Sequence, residues 1–324
     1  RTPIPNFVKI GKKNEHPMYD HHPFYICTDE DREFIRSELG LKKSTIDEGV
    51  DAIMDWFVKQ PHLVEAGIDR AIIENMIIIA KGSLEKTKRR IDNFYKYRNI
   101  APELIQNRDK VLSNSEDLWS SYVQLAMPKL YKGNRVGIFK LTEKDSSKFS
   151  AEIVFRNTFM LADLRLKYDC FLSDIWVVDF KNGSFSHLLK LNPLIMQKTA
   201  QIFHEGLGTR VLAIHILSAT TLLQQVVSFM RQFFSPKVMD RIILHDSVES
   251  LHKYIPKQYL PKDFGGEEPY MAEYKDKYEK EIRSTRTKSV LIEMSKMVSN
   301  ESRRPNAEKN EEFLVGTFRK LDLD

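Results

Sequence analysis

Residues 174–217 read "DIWVVDFKNGSFSHLLKLNPLIMQKTAQIFHEGLGTRVLAIHIL". The two ends, "DIWVVDF" (174–180) and "VLAIHIL" (211–217), are short and almost continuously apolar, while residues 186–206 between them carry a helical pattern. Two strands joined by so long a connection lie parallel, and strands apolar on both sides belong to a sheet covered by helices. "VGIFKL" (136–141) and "RIILH" (241–245) repeat the type and alternate with helical stretches near 151–168 and 220–234. The prediction is an α/β domain with a largely parallel sheet, spanning about 113–280.

Upstream, residues 24–112 give only helical signals. In "TIDEGVDAIMDWFVKQP", Ile46, Val50, Ile53, Met54 and Phe57 recur at helical spacing, Thr45 is positioned to cap and Pro61 follows the end. Gly82 closes the next helix and Ser83 opens "SLEKTKRRIDNFYKYR". Residues 1–23 read as a flexible arm. Residues 281–324 form a charged extension: a short helical "SVLIEMSKMV", a disordered "SNESRRPNAEKN", then "EEFLVGTFRKLDLD", apolar enough to dock back.

A chain of 324 residues, 42% of them hydrophobic, buries a sizeable core across two domains. The net charge of +5 favours anionic surfaces mildly and does not call for nucleic acid. Two cysteines far apart in sequence supply neither a disulfide scaffold nor a cysteine-rich zinc site, and they suit a reducing compartment. No run reaches the ~18 apolar residues of a membrane span, so the expected location is cytoplasmic with peripheral membrane contact.

Catalytic motifs fail on mechanics. Neither strand end carries the glycines that let backbone N–H groups approach phosphates. "DFGG" (263–266) after "LHD" lacks the catalytic-loop Asn and Gly-rich loop of a kinase, "NGSFS" lacks the elbow that exposes a serine nucleophile, and "FHEGLG" lacks the second His of a zinc helix. His187, His204, His215, His245 and Asp179 therefore read as hydrogen-bonded structural or capping groups. No catalytic residue, metal site or cofactor is expected.

"TTLLQQVVSFMRQFF" (220–234) is different. Wound as a helix it gathers Leu222, Leu223, Val226, Val227, Phe229, Met230, Phe233 and Phe234 on one side, without a charge among them. Burying eight such side chains is worth about 12–24 kcal/mol. Exposure to water is prohibitive, whereas a bilayer interface accepts the same face while Arg231 and the glutamines stay wet.

The ordered pieces "VVDFKNGSFSHL", "AIHIL", "FFSPKVMDRI", "SLHKYIP" and "LPKDFGGE" closely resemble the CRAL-TRIO lipid-binding and transfer family, nearest its tocopherol-transfer and retinaldehyde-binding branch. "RRIDNFYKYR" resembles that family's N-terminal helical domain, whereas "MIIIAKGSLEK" replaces its arginine-rich stretch. The resemblance implies one hydrophobic ligand enclosed between sheet and helices under a mobile gate helix at 220–234. Carried over by motif position, the implied lining is Phe155, Thr158, Phe159, Ala162, Val178, Ile202, Phe203, Val211 and Ile214, with Leu222, Val226, Phe229, Met230 and Phe233 as the lid. Thr158 would orient a polar end of the ligand. Arg210, Lys237 and Arg241 fall where that branch holds phosphoinositide headgroups, and Leu212 occupies a further such position without a charge. The expectation is a monomeric, non-enzymatic carrier of a tocopherol, retinoid, carotenoid or similar lipid that exchanges cargo at acidic membranes. A lipid sensor that regulates a protein partner without transferring cargo is the alternative.

Overall fold

The computed structural model describes residues 21–113, 118–218, 220–234 and 236–305. The arm through residue 20 and the tail from 306 lie outside the described residues. Six helices lead the chain: α1 (Asp29–Glu38), α2 (Lys43–Phe57), α3 (Arg70–Ile79), α4 (Leu84–Asn99), α5 (Pro102–Ile105) and α6 (Arg108–Ser113). Ser83 caps α4 by accepting from the Lys86 N–H, as its sequence position predicts. Thr45, in contrast, is not a cap. The Ile46 N–H already bonds to the Lys42 carbonyl at 3.1 Å, so α2 starts before Thr45 and has no side-chain cap.

A five-stranded sheet follows in the order β1 (Tyr122–Tyr131), β2 (Asn134–Leu141), β3 (Ser173–Phe180), β4 (Val211–Ser218), β5 (Ile242–His245). Strands β2 to β5 are parallel. β1 is antiparallel and is the strand that sequence reading missed. Gln124, Pro128 and Lys129 break its apolar pattern, yet an edge strand tolerates Pro at an irregularity, and the register shifts between Ala126 and Leu130. Lys132 and Gly133, both at positive φ, make the tight turn into β2.

Helix α7 (Ala151–Tyr168) links β2 to β3; α8 (Phe185–Leu189) and α9 (Pro193–Gln201), with a π-helical turn at Ile202–Leu207, link β3 to β4. The single helix expected over 186–206 is thus divided at Asn192 and Pro193, where the Asn side chain caps and the proline takes the first helical position. α10 (Thr220–Met230) and α11 (Pro236–Met239) link β4 to β5. α10 ends earlier than the apolar stripe does: the Gln232 and Phe233 N–H groups bond back three residues, to Phe229 and Met230, and tighten the chain into a turn.

In a parallel sheet laid down in sequential order, crossovers of one hand fall on one face. Register and alternation put Gln124, Gly137, Phe139, Trp176, Val178, Phe180, Ile214 and Ile216 on that face. The Thr158 hydroxyl reaches Gln124 Oε1 at 2.9 Å from α7, and Leu222 and Val226 of α10 pack in one cluster with Trp176 and Val178. Chain following β5 covers the opposite face: Leu251, Ile255, Leu260 and Phe264 cluster with Val136, Ile138, Ile175 and Val177.

The charged stretch after residue 270 forms α12 (Met271–Ile282) and α13 (Thr285–Ser295), which bury Tyr278, Ile282 and Leu291. Residues 297–304 then return to the helical domain. Arg98 donates to the Met294 and Met297 carbonyls, Asn99 to the Ser299 carbonyl, and Arg304 pairs with Asp92 at 2.8 Å. The start of the presumed extension is therefore an integral strap across the helical domain.

Candidate functional site

The two faces of the central strand differ. Ile175 and Val177, pointing one way, are 4% and 0% exposed. Trp176, Val178 and Phe180, pointing towards the crossover helices, are all half-buried, as is Phe139 beside them on β2. A close-packed core leaves a central strand no accessible surface on either side. Phe155 and Ala162 on α7, Phe203 on the π-helical turn, and Phe229 and Met230 on α10 are half-buried as well. Gly137 contributes by subtraction, since a Cβ there would lie 2.7 Å from the Trp176 ring.

The expected lining residues fall into two groups. Phe159 and Ile202 are buried and Phe155, Ala162 and Phe203 half-buried in the core shared with the helical domain, with the Phe159 and Phe203 rings 5.0 Å apart. Val178, Val211, Ile214, Leu222, Val226 and Met230 pack together between the sheet and α10. Phe233 is buried and its ring lies 5.1 Å from that of Phe229. The side chain of Leu223 lies outside the described residues. The Thr158 hydroxyl has two acceptors, Gln124 Oε1 and the Val154 carbonyl, so its proton is used within the protein and it presents lone pairs to any guest. Trp176, Phe139 and Phe180 were not in the expected lining, although alternation along "DIWVVDF" puts Trp176 and Phe180 on the face of Val178.

Helix α8 packs beside α10. It exposes Phe185 and Leu189, at 54% and 70%, and α9 exposes Leu194 at 57%. The basic residues lie at the start of the last two strands. Arg241 donates to the Val211 carbonyl at 2.7 Å, which brings it next to Arg210, and Lys237 is exposed on α11. Among the described residues Arg210 Nε and Nη2 are buried without a hydrogen-bond partner, and burial lowers the guanidinium below its ordinary range. A separate polar cavity of about 100 Å³, lined by Arg89, Arg90, Asn93, His204, Glu205, Gly208 and Thr209, shares none of the expected lining residues.

The histidines are engaged as structural groups. Ser184 and His187 form a reciprocal cap, and His204 pairs with Glu205 at 3.0 Å. Asp179 accepts from the Lys181 N–H and closes the turn after β3. Buried His215 Nδ1 lies 2.9 Å from His245 Nε2, and His245 Nδ1 lies 2.7 Å from Ser250 Oγ. Ser250 donates to the Ser247 carbonyl, so a neutral pair completes the chain. Burial, then the neighbouring His245, pushes His215 down from 6.5 to about 4. The unfolded chain therefore binds the proton first, and this contribution is whole above about pH 6.5 and is lost as pH falls towards about 4. Urea midpoints between those limits should fall by the equivalent of about 2 kcal/mol, a figure reduced for partial solvent access. His215→Gln should flatten the slope in that window; an unchanged slope would refute the assignment.

Strands β2 to β5, with their crossover helices on one face, lie within residues 130–266, which match the family model described as CRAL/TRIO domain. That match covers a little under half of the chain. Residues 42–114 match a second model, Pinta-like, UBA domain. The chain is similar to the Homo sapiens protein named Alpha-tocopherol transfer protein-like, 23% identical over 259 residues that cover 78% of this chain and 75% of that protein. It is also similar to Clavesin-1 of Xenopus laevis, 21% identical over 243 residues, 72% of each. The solved crystal structure of Sfh5 superposes with a TM-score of 0.41 at 11% identity, covering 76% of this chain and 91% of that one. No helix among the described residues is long and apolar enough to cross a membrane.

Proposed function

We propose that this protein carries one small hydrophobic molecule between its sheet and helices α7 and α10, and exchanges it at an anionic membrane by moving α10. The observation that carries this reading is the half-buried set Trp176, Val178 and Phe180, in mid-sheet and under helices, where a protein without a guest gains by complete burial. Burying about 400 Å² of an apolar ligand on that boundary gives roughly 10 kcal/mol before ordering costs. Thr158 accepts a hydrogen bond from a ligand hydroxyl, which suits an isoprenoid with one polar end.

Leu222 and Val226 close the boundary from inside, while the exposed Phe185, Leu189 and Leu194 offer an apolar face to a membrane beside the gate. The unpaired nitrogens of Arg210, with Lys237 and Arg241, recognise a phosphate through charge-assisted hydrogen bonds. Mass spectrometry of organic extracts from the purified protein should find one apolar lipid class in near-stoichiometric amount. Fluorescent tocopherol or retinoid should then pass from labelled to unlabelled vesicles faster when the acceptor contains phosphoinositide, with the gain abolished by salt. Protein that yields no lipid and takes none up would overturn the carrier reading; binding without movement between vesicles would replace it with a sensor.

A further inference from the structure

The chain's two cysteines, separated by 143 positions, meet in the fold. Cys27 follows the segment that bonds to β1 through the Ile26 N–H and the Pro128 carbonyl; Cys170 lies just beyond α7. Their sulfurs and an Asp169 oxygen lie within 4.8 Å of one another. Cys27 is half-buried and Cys170 1% exposed.

The surroundings favour thiol chemistry over a metal ion. Asp169 already accepts from Arg135, from Arg165 Nε at 2.9 Å and from the Cys170 N–H at 2.8 Å, so its lone pairs are occupied. Two guanidinium groups beside it repel a cation. Cys27 is the sulfur a small oxidant reaches first: it is half-buried, receives the Cys170 N–H at 3.1 Å and Arg135 Nη2 at 3.7 Å, and donates to Asp169 Oδ1 at 3.5 Å. Cys170 has the complementary setting. Hydrogen bonding to Cys27, then burial, pushes its thiol up, so it stays protonated until a partner sulfur is activated.

We infer that Cys27 and Cys170 form an oxidative modification site at which hydrogen peroxide, small enough to reach a half-buried sulfur, converts the two thiols into an intramolecular disulfide. The Cys27 thiolate attacks one peroxide oxygen, the O–O bond breaks, and hydroxide leaves, giving a sulfenic acid on Cys27. The Cys170 sulfur then attacks the Cys27 sulfur. The S–S bond forms, the S–O bond breaks, and the Cys170 proton departs with the hydroxyl as water. The two thiols give up two electrons, and peroxide is reduced to two waters. The product fastens the segment ahead of α1 to the end of α7 and closes a long loop of chain, a constraint that acts chiefly on the unfolded state.

Reduced wild-type protein treated with hydrogen peroxide should lose both free thiols, show a mass lower by two hydrogens, yield a peptide linked through Cys27 and Cys170, and melt at a higher temperature until dithiothreitol reverses the change. In Cys170→Ser the reaction should stop at a Cys27 sulfenic acid trapped by dimedone, and in Cys27→Ser the residue Cys170 should stay unmodified. Two thiols still free in the wild type after peroxide treatment, cross-links found only between molecules, or Cys27 driven to sulfinic acid with Cys170 intact would each overturn the inference. The peptide map uses unaltered protein, so it decides the matter even where a serine variant folds poorly.

Discussion

Asp163→Ala should lower folding stability by about 3–5 kcal/mol, read as a shift of the urea midpoint at constant slope. The carboxylate is the shared anion of two buried arginines. Arg98 grips it with two nitrogens at 2.9 and 3.0 Å, and Arg108 Nη1 lies 2.7 Å away. None of the three side chains is more than 1% exposed. Burial pushes Arg108 below its ordinary range while Asp163 pulls it back up, so without the carboxylate both guanidinium groups are left in a medium that penalises their charge. Arg98 also holds the Met294 and Met297 carbonyls, and the loss should spread to the strap. Limited proteolysis after residue 290 should accelerate in the variant. A midpoint within experimental error of the wild type would mean that the two arginines are hydrated and the ion cluster is dispensable.

The second large effect is on exchange. Phe229→Asp should leave the melting temperature close to that of the wild type, since Phe229 is only half-buried, yet slow vesicle-to-vesicle transfer by about 30-fold or more. A carboxylate carried into the acyl region costs about 2–3 kcal/mol, and each 1.4 kcal/mol is tenfold. Gln224→Asp, on the exposed side of the same helix, should change transfer little and so separates insertion from net charge. Wild-type transfer by Phe229→Asp would sink the gate mechanism, because the helix would then exchange cargo without presenting its apolar side to lipid.

Much of the fold was legible because its signals are local. β3 and β4 announced themselves as continuous apolar runs, and Ser83 as a cap, since each depends on a few neighbouring residues. β1 was hidden because an edge strand shows no such run, and Pro128 argues against a strand unless the bulge beside it is known. The strap was hidden for a different reason: Arg303 and Arg304 look solvated in sequence, and their partners Glu65 and Asp92 lie more than 200 positions away. The lining set was read from motif positions, which supplied Val178 but passed over Trp176 and Phe180. Only with α7 and α10 in place can one face of β3 be seen as less well filled than the other.

The sequence by itself determined the parallel sheet, the helical domain and the amphipathic stripe of α10, because periodicity and local capping are properties of short segments. Tertiary structure alone decided that Cys27 meets Cys170, that Asp163 serves two arginines, that Arg210 has buried nitrogens without partners among the described residues and that Trp176, Val178 and Phe180 stay half-buried. These are outcomes of long-range packing: which side chains share a space, and how completely they fill it, is set by the simultaneous placement of elements distant in the chain.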